Sequence, residues 1–152
     1  MSDPIARSRL LIRRPTVEVF DAFVRPEQLT QFWLSSASGP LELGRSVHWE
    51  FMVPGAAVET RVDVFKRNER IEISWSDGTR VRWTFEDRGD ATTTVEIEHS
   101  GFSGSNAEAV ATAIEATQGF TIVLCDLKTL LETGTAHNIT RDKALLIAEQ
   151  HR

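Results

Sequence analysis

Hydrophobic residues recur at every second position through the middle of the chain, and at helical spacing on either side of it. The alternation runs from Gly44 to Gly101. It places Val47, Trp49, Phe51 and Val53 on one face of residues 46–53, then Val58, Thr60, Val62 and Val64 on one face of 57–65. Ile71, Ile73 and Trp75 follow, then Val81, Trp83 and Phe85, then Thr93, Val95 and Ile97. Such alternation marks strands with one buried and one solvated face. Between the runs lie turn signals: Pro54-Gly55, Asn68-Glu69, Asp77-Gly78 and Gly89-Asp90. Asp77-Gly78 is the strongest of them and predicts a two-residue type I′ turn. Five consecutive strands with tight turns predict an antiparallel meander.

The flanks change period. Residues 6–14, ARSRLLIRR, form a predicted first strand, and Pro15 is placed to open a helix. Val19, Phe20 and Phe23 share one side of that helix; Pro26 starts a second one carrying Leu29, Phe32 and Trp33. Beyond the meander, Ser105 and Glu108 stand at capping-box spacing and Gly134 where a C-terminal glycine cap belongs. They bracket a predicted helix of about 27 residues, about 40 Å long at 1.5 Å per residue, enough to cross the whole sheet. Its buried stripe is Phe120, Val123, Leu124, Leu127, Leu130 and Leu131, and Gly119 is expected to weaken, kink or break it. The tail after residue 134 suggests one short helix capped by Thr140. These 152 residues read as a single domain with its core at about 7–134.

Composition narrows the function. A formal net charge of −5, with arginines interleaved among acids, argues against a nucleic-acid partner. One cysteine, Cys125, permits neither an internal disulfide nor a thiolate metal site. Four scattered histidines without acids at ligand spacing suggest no metal or other cofactor. No apolar run approaches the roughly 18 residues of a membrane span, and no signal core opens the sequence, so the expected location is cytoplasmic.

One polar residue breaks the pattern. On the strand TTTVEIEHS, Glu96 and Glu98 take the wet face and His99 falls on the apolar one. A neutral imidazole inside either orients a ligand, acts as a base, or is a strand-end histidine hydrogen-bonded to a neighbour; the last is the favoured expectation. Thr60 and Thr93, on the same face, are further candidates for ligand contact or plain strand formers. Cys125 lacks an identifiable activating neighbour, and the acid pairs Glu96/Glu98 and Glu69/Glu72 fall on wet surfaces or turns.

Strand, two short helices, meander and long final helix is an order that resembles the START and pollen-allergen-like superfamily. More narrowly, it resembles the family named after the C-terminal domain of the heat-shock-protein-90 ATPase activator. The matching residues are Pro15 with Val19, Phe20 and Ala22; RPEQLTQFW with Pro26, Leu29 and Trp33; Gly44; Trp75; VEIEHSGF at 95–102; and GFTIVLCDLKTLLETG at 119–134. Phe32 and Phe120 stand where that family often has tryptophan, which keeps the packing role. The sequence shows no counterpart of the eukaryotic co-chaperone's additional N-terminal domain.

The resemblance implies an α+β helix-grip fold, a curved antiparallel sheet around the long helix, with a cavity between them for a small apolar molecule. The aromatic bulk on the inner face is compatible with such a cavity and equally with a filled core. The expected lining is Trp33, Trp49, Phe51, Trp75, Trp83, Phe85, His99, Phe120, Leu124 and Leu127. The expected function is non-catalytic binding of a small hydrophobic ligand. Two alternatives stand beside it: a chaperone-associated or stress-response module partnering a heat-shock ATPase, and a START-type lyase, cyclase or hydrolase using His99.

Overall fold

The computed structural model describes residues 3–151. Along the chain it forms β1 (Ala6–Ile12), α1 (Thr16–Val24), α2 (Pro26–Phe32), β2 (Leu34–Ala37), β3 (Ser46–Phe51), β4 (Ala57–Lys66) and β5 (Arg70–Trp75). Then come β6 (Arg80–Asp87), β7 (Thr93–Ser100), α3 (Asn106–Thr133) and α4 (Ile139–Gln150). The strands make one seven-stranded sheet in the order β1-β7-β6-β5-β4-β3-β2, every neighbour antiparallel. The sheet curls into a half-barrel against the long helix, the α+β helix-grip arrangement.

The five meander strands form as the alternation predicts, with two departures. The Asp77-Gly78 hairpin is not type I′, because only Gly78 has a positive φ, at 90°. The Asp77 carboxylate instead accepts the Thr79 N–H at 2.9 Å and the Thr79 hydroxyl at 2.6 Å, while the Gly78 N–H donates to the Trp75 carbonyl at 3.0 Å. The result is a three-residue loop with its last residue left-handed. In β4 a bulge falls between Val62 and Val64. Val64 lies opposite Glu72 and Phe65 opposite Ile71, so Phe65 takes the inward place expected of Val64. Strand β2 carries no alternation signal; it is a four-residue edge strand with only Leu34 fully buried.

Helix α3 begins and ends where its caps predict. Ser105 Oγ accepts the Glu108 N–H and the Glu108 carboxylate accepts the Ser105 N–H, both at 3.2 Å. Gly134 ends it at φ 77°, its N–H donating to the Leu130 carbonyl at 2.8 Å. The helix runs unbroken through Gly119, contrary to the expected kink. The polar flank of α3 is tied to the β1 edge: Ser8 and Thr121 hydroxyls lie 2.8 Å apart, and Lys128 Nζ donates to the Leu11 carbonyl at 2.7 Å. By length and composition α3 would suffice to cross a membrane, more than the sequence reading allowed. Its apolar face is occupied otherwise, since Phe120, Val123, Leu124, Leu127 and Leu130 are buried in the protein's core.

The tail helix is longer and differently capped than expected. Asn138, at φ 59°, precedes it and offers no side-chain cap. The cap comes from α3: Asp126, 1% exposed, accepts the Thr140 N–H at 3.0 Å. That N–H is one of the orphan donors of the first turn, and a carboxylate there also faces the positive end of the helix dipole. An Asp126→Ala variant is expected to lose about 1–2 kcal/mol. Hydrogen exchange should then speed up at the α4 amides first, and an unchanged α4 with faster exchange elsewhere would contradict this role.

Candidate functional site

The concave face of the sheet is shared between two sets of helices. At one end α1 and α2 insert their own rings. Phe20 meets Phe85 with centroids 5.0 Å apart, Phe23 meets Trp83 at 5.7 Å, and Trp33 meets Trp49 at 5.1 Å. This fills the space beneath Trp49, Trp83 and Phe85, which pack against the two short helices rather than lining a hollow. Leu124 and Leu127, fully buried, belong to the same core. The expectation that these five residues form cavity wall is therefore corrected. The short helices contribute Phe20, Phe23, Phe32 and Trp33, all buried, and together with the sheet rings these consume the volume.

At the other end the helices leave a cleft of about 300 Å³. Trp33, Phe51, Trp75, His99 and Phe120, the remaining five of the expected residues, do line it. Helix α3 adds Ala116, Gly119 and Val123, and α4 adds Thr140, Lys143, Ala144 and Ile147. The β3–β4 turn closes one side with Met52, Val53 and Ala56. Gly119 explains much of the hollow: a Cβ placed there meets no atom within 4 Å, so the missing side chain is open space. A wider hollow of about 580 Å³ near α1 and α2 is edged by Asp21, Arg25, Glu27, Glu42 and Arg67. Its mixed charges suit water better than an apolar guest.

The other α3 positions and the whole α4 wall were missed at the sequence level, although a signal existed. Residues 116, 119, 120 and 123 are spaced i, i+3, i+4 and i+7, and so are 140, 143, 144 and 147. Each set is one helical stripe. Thr60 and Thr93 are buried away from the cleft; Thr93 accepts or donates to Thr16 at 2.9 Å and donates to the Arg14 carbonyl at 2.9 Å, which fixes β7 to the start of α1.

His99 sits in the sheet between Ala6 of β1 and Val81 of β6 and is 7% exposed. Its ring meets Trp75 at 5.1 Å, Phe120 at 5.5 Å and Phe102 at 4.7 Å, all edge to face. Gly101 permits the last contact. Its φ of 87°, and the 3.2 Å that would separate a Cβ from the Gly78 carbonyl, exclude a side chain where the chain leaves β7. Neither imidazole nitrogen has a hydrogen-bond partner among the described residues, so the expected strand-end hydrogen bond is not made. Burial pushes the imidazole pKa down to about 4; the Asp77 charge opposes this and is the weaker cause. At neutral pH His99 is therefore an uncharged ring with one unpaired donor and one unpaired acceptor, both enclosed, while the residue itself forms part of the cleft lining. No second group fixes its tautomer, and so weak a base is poorly matched to proton abstraction near neutrality.

A helix-grip sheet with an aromatic cleft under its C-terminal helices is the architecture of START-like proteins. The chain belongs to the family described as Activator of Hsp90 ATPase homolog 1-like protein, whose sequence pattern matches residues 13–132. Among curated proteins none matches it. Similar solved structures include the protein SSP2350 of Staphylococcus saprophyticus, 25% identical, with 87% of this chain and 94% of that one covered at a TM-score of 0.74. The Aha1 dimer of Colwellia psychrerythraea is 18% identical, with 87% and 98% covered at 0.75. An HSP90 activator of Plasmodium falciparum, PFC0360w, is 16% identical, with 85% and 96% covered at 0.66. At these identities the last two show a common fold.

Proposed function

We propose that the protein binds a small, mostly apolar molecule in the cleft between the sheet, α3 and α4, without transforming it. The observation that carries this reading is His99. Leaving two ring nitrogens unpaired in a buried site costs about 1–3 kcal/mol for each group, which packing alone does not require and a bound hydrogen-bonding guest would recover. Trp33 and Trp75 stand in the wall, so occupancy should register as tryptophan quenching. Titration with a hydrophobic fluorophore and a lipid panel is expected to give saturable quenching. Gly119→Leu should abolish it by filling the hollow while holding or raising thermal stability, since leucine is the better helix former by close to 1 kcal/mol. Absence of saturable quenching in the unaltered protein would remove the reading.

A second reading is supported by the family and by one surface feature. Leu145 and Leu146, 54% and 56% exposed, place adjacent leucines on the outer side of α4, which suits a protein partner. In that reading the domain docks on a heat-shock ATPase. Its test is the rate of ATP hydrolysis by purified Hsp90 with and without this protein, and an unchanged rate would eliminate it.

A further inference from the structure

The cleft wall specifies its guest more narrowly than apolar. Four carbon-ring side chains form it, Trp33, Phe51, Trp75 and Phe120, and they meet one another mostly at tilted or edge-on angles. Such a set offers faces and edges to a flat ring at several orientations. The volume of about 300 Å³ lies at the small end of ligand pockets, which sets the guest as a small molecule.

Two ionisable residues belong to this wall, from different elements. His99 joins the lining from the sheet side, its two unpartnered nitrogens closed off just beneath the surface. Lys143 stands in the lining from α4 and is its one formally charged residue; the wall contains no aspartate or glutamate. Lys128 of α3 is held by Glu132 at 2.7 Å, whereas Lys143 has no such ion pair among the described residues. A lysine stem packs on apolar surface and carries its charge to the edge, so one cation over an aromatic cleft selects for an anion at one end of the guest. That selectivity stands out in a chain of formal net charge −5, whose field otherwise disfavours anions.

We infer that the guest is a small aromatic acid, its ring system against the four side-chain rings, its carboxylate at Lys143, and the His99 ring turning to hydrogen-bond a hydroxyl or carbonyl of its body. This rests on the proposed binding function and deepens it. Asp126, which accepts the Thr140 N–H, is not among the residues of the wall.

Calorimetric titration of the intact protein separates the two ideas with three probes of one body: naphthaleneacetate, its neutral amide naphthaleneacetamide, and the cation naphthylethylamine. The acetate is expected to bind at least about fivefold more tightly than the amide, and the amine more weakly than both. Lys143→Met keeps the stem and removes the charge. It should bring the acetate to within about twofold of the amide. Equal binding of acetate and amide, or a preference that survives Lys143→Met, overturns the aromatic-acid inference and leaves the binding function standing. Failure of all three probes to bind overturns both.

Discussion

A His99→Phe variant is expected to lose most of the acid sensitivity that the unaltered protein shows between about pH 6.5 and pH 4. His99 is buried and its folded-state pKa is depressed from 6.5 to about 4. The unfolded chain therefore binds a proton throughout that window while the folded protein does not. A depressed pKa contributes stability that is fully present above the unfolded value and is lost as pH falls through the folded one. At about 1.4 kcal/mol per pH unit, the loss across the window is on the order of 3 kcal/mol. Glu18, Glu98, Glu108, Glu132 and Asp90 also have lowered pKa values, but their contributions are the same in both proteins and cancel in the difference. Asp77, whose charge works against the depression, is likewise unaltered. Urea midpoints of the two proteins should draw apart as pH falls, with the variant the more stable at the acid end. Near neutrality the variant should hold its own, because it no longer buries two unpaired nitrogens. Parallel pH profiles would mean that the imidazole is not a buried neutral group, and the argument for a guest hydrogen-bonded to it would fall with that.

The same residue shows how far the sequence could be read. Period-two spacing alone placed His99 on the inner face, because strand geometry leaves a side chain no other choice once Val95 and Ile97 are inside. Its lack of partners was beyond reach, since what surrounds it comes from Trp75, Phe102 and Phe120 on three different segments. Local chemistry was legible: the capping box at Ser105, the glycine at 134 and the positions of the meander turns, though not the type of the Asp77-Gly78 turn, all depend on neighbours in sequence. The Asp126 cap on α4 was not, because nothing local distinguishes a buried aspartate from an exposed one on an amphipathic helix. The division of the concave face was also hidden. Whether Trp83 and Phe85 meet α3 or α1 depends on how the short helices fold under the sheet, and periodicity within each element says nothing of that. A β-bulge is similarly silent: one extra residue at Asp63 redirects Phe65 inward without disturbing the alternation on either side.

That division gives the second large expectation. Trp83 is fully buried, packed on Phe23 at 5.7 Å and Trp33 at 6.0 Å, and paired across the sheet with Ile71 and Ile97. Truncation to alanine removes this bulk from a region whose neighbours, tied into two strands and a helix, cannot collapse to fill it. Such losses cost about 3–5 kcal/mol. The Trp83 indole N–H has no hydrogen-bond partner among the described residues, and removing it recovers part of the cost, so the expected value lies near the lower end, about 3 kcal/mol. In a domain of this size that is a fall in Tm on the order of 10 °C, readable by thermal denaturation. The affinity of the folded protein for a cleft ligand should nevertheless stay close to that of the unaltered protein, because Trp83 contributes no wall. Trp75→Ala makes the opposite case. Trp75 forms wall and touches both His99 and Phe120, so its truncation must change ligand affinity whatever it does to stability. If Trp83→Ala weakened binding as much as Trp75→Ala while leaving Tm almost unmoved, the boundary drawn between filled core and open cleft would be in the wrong place, and the cleft would have to extend beneath α1.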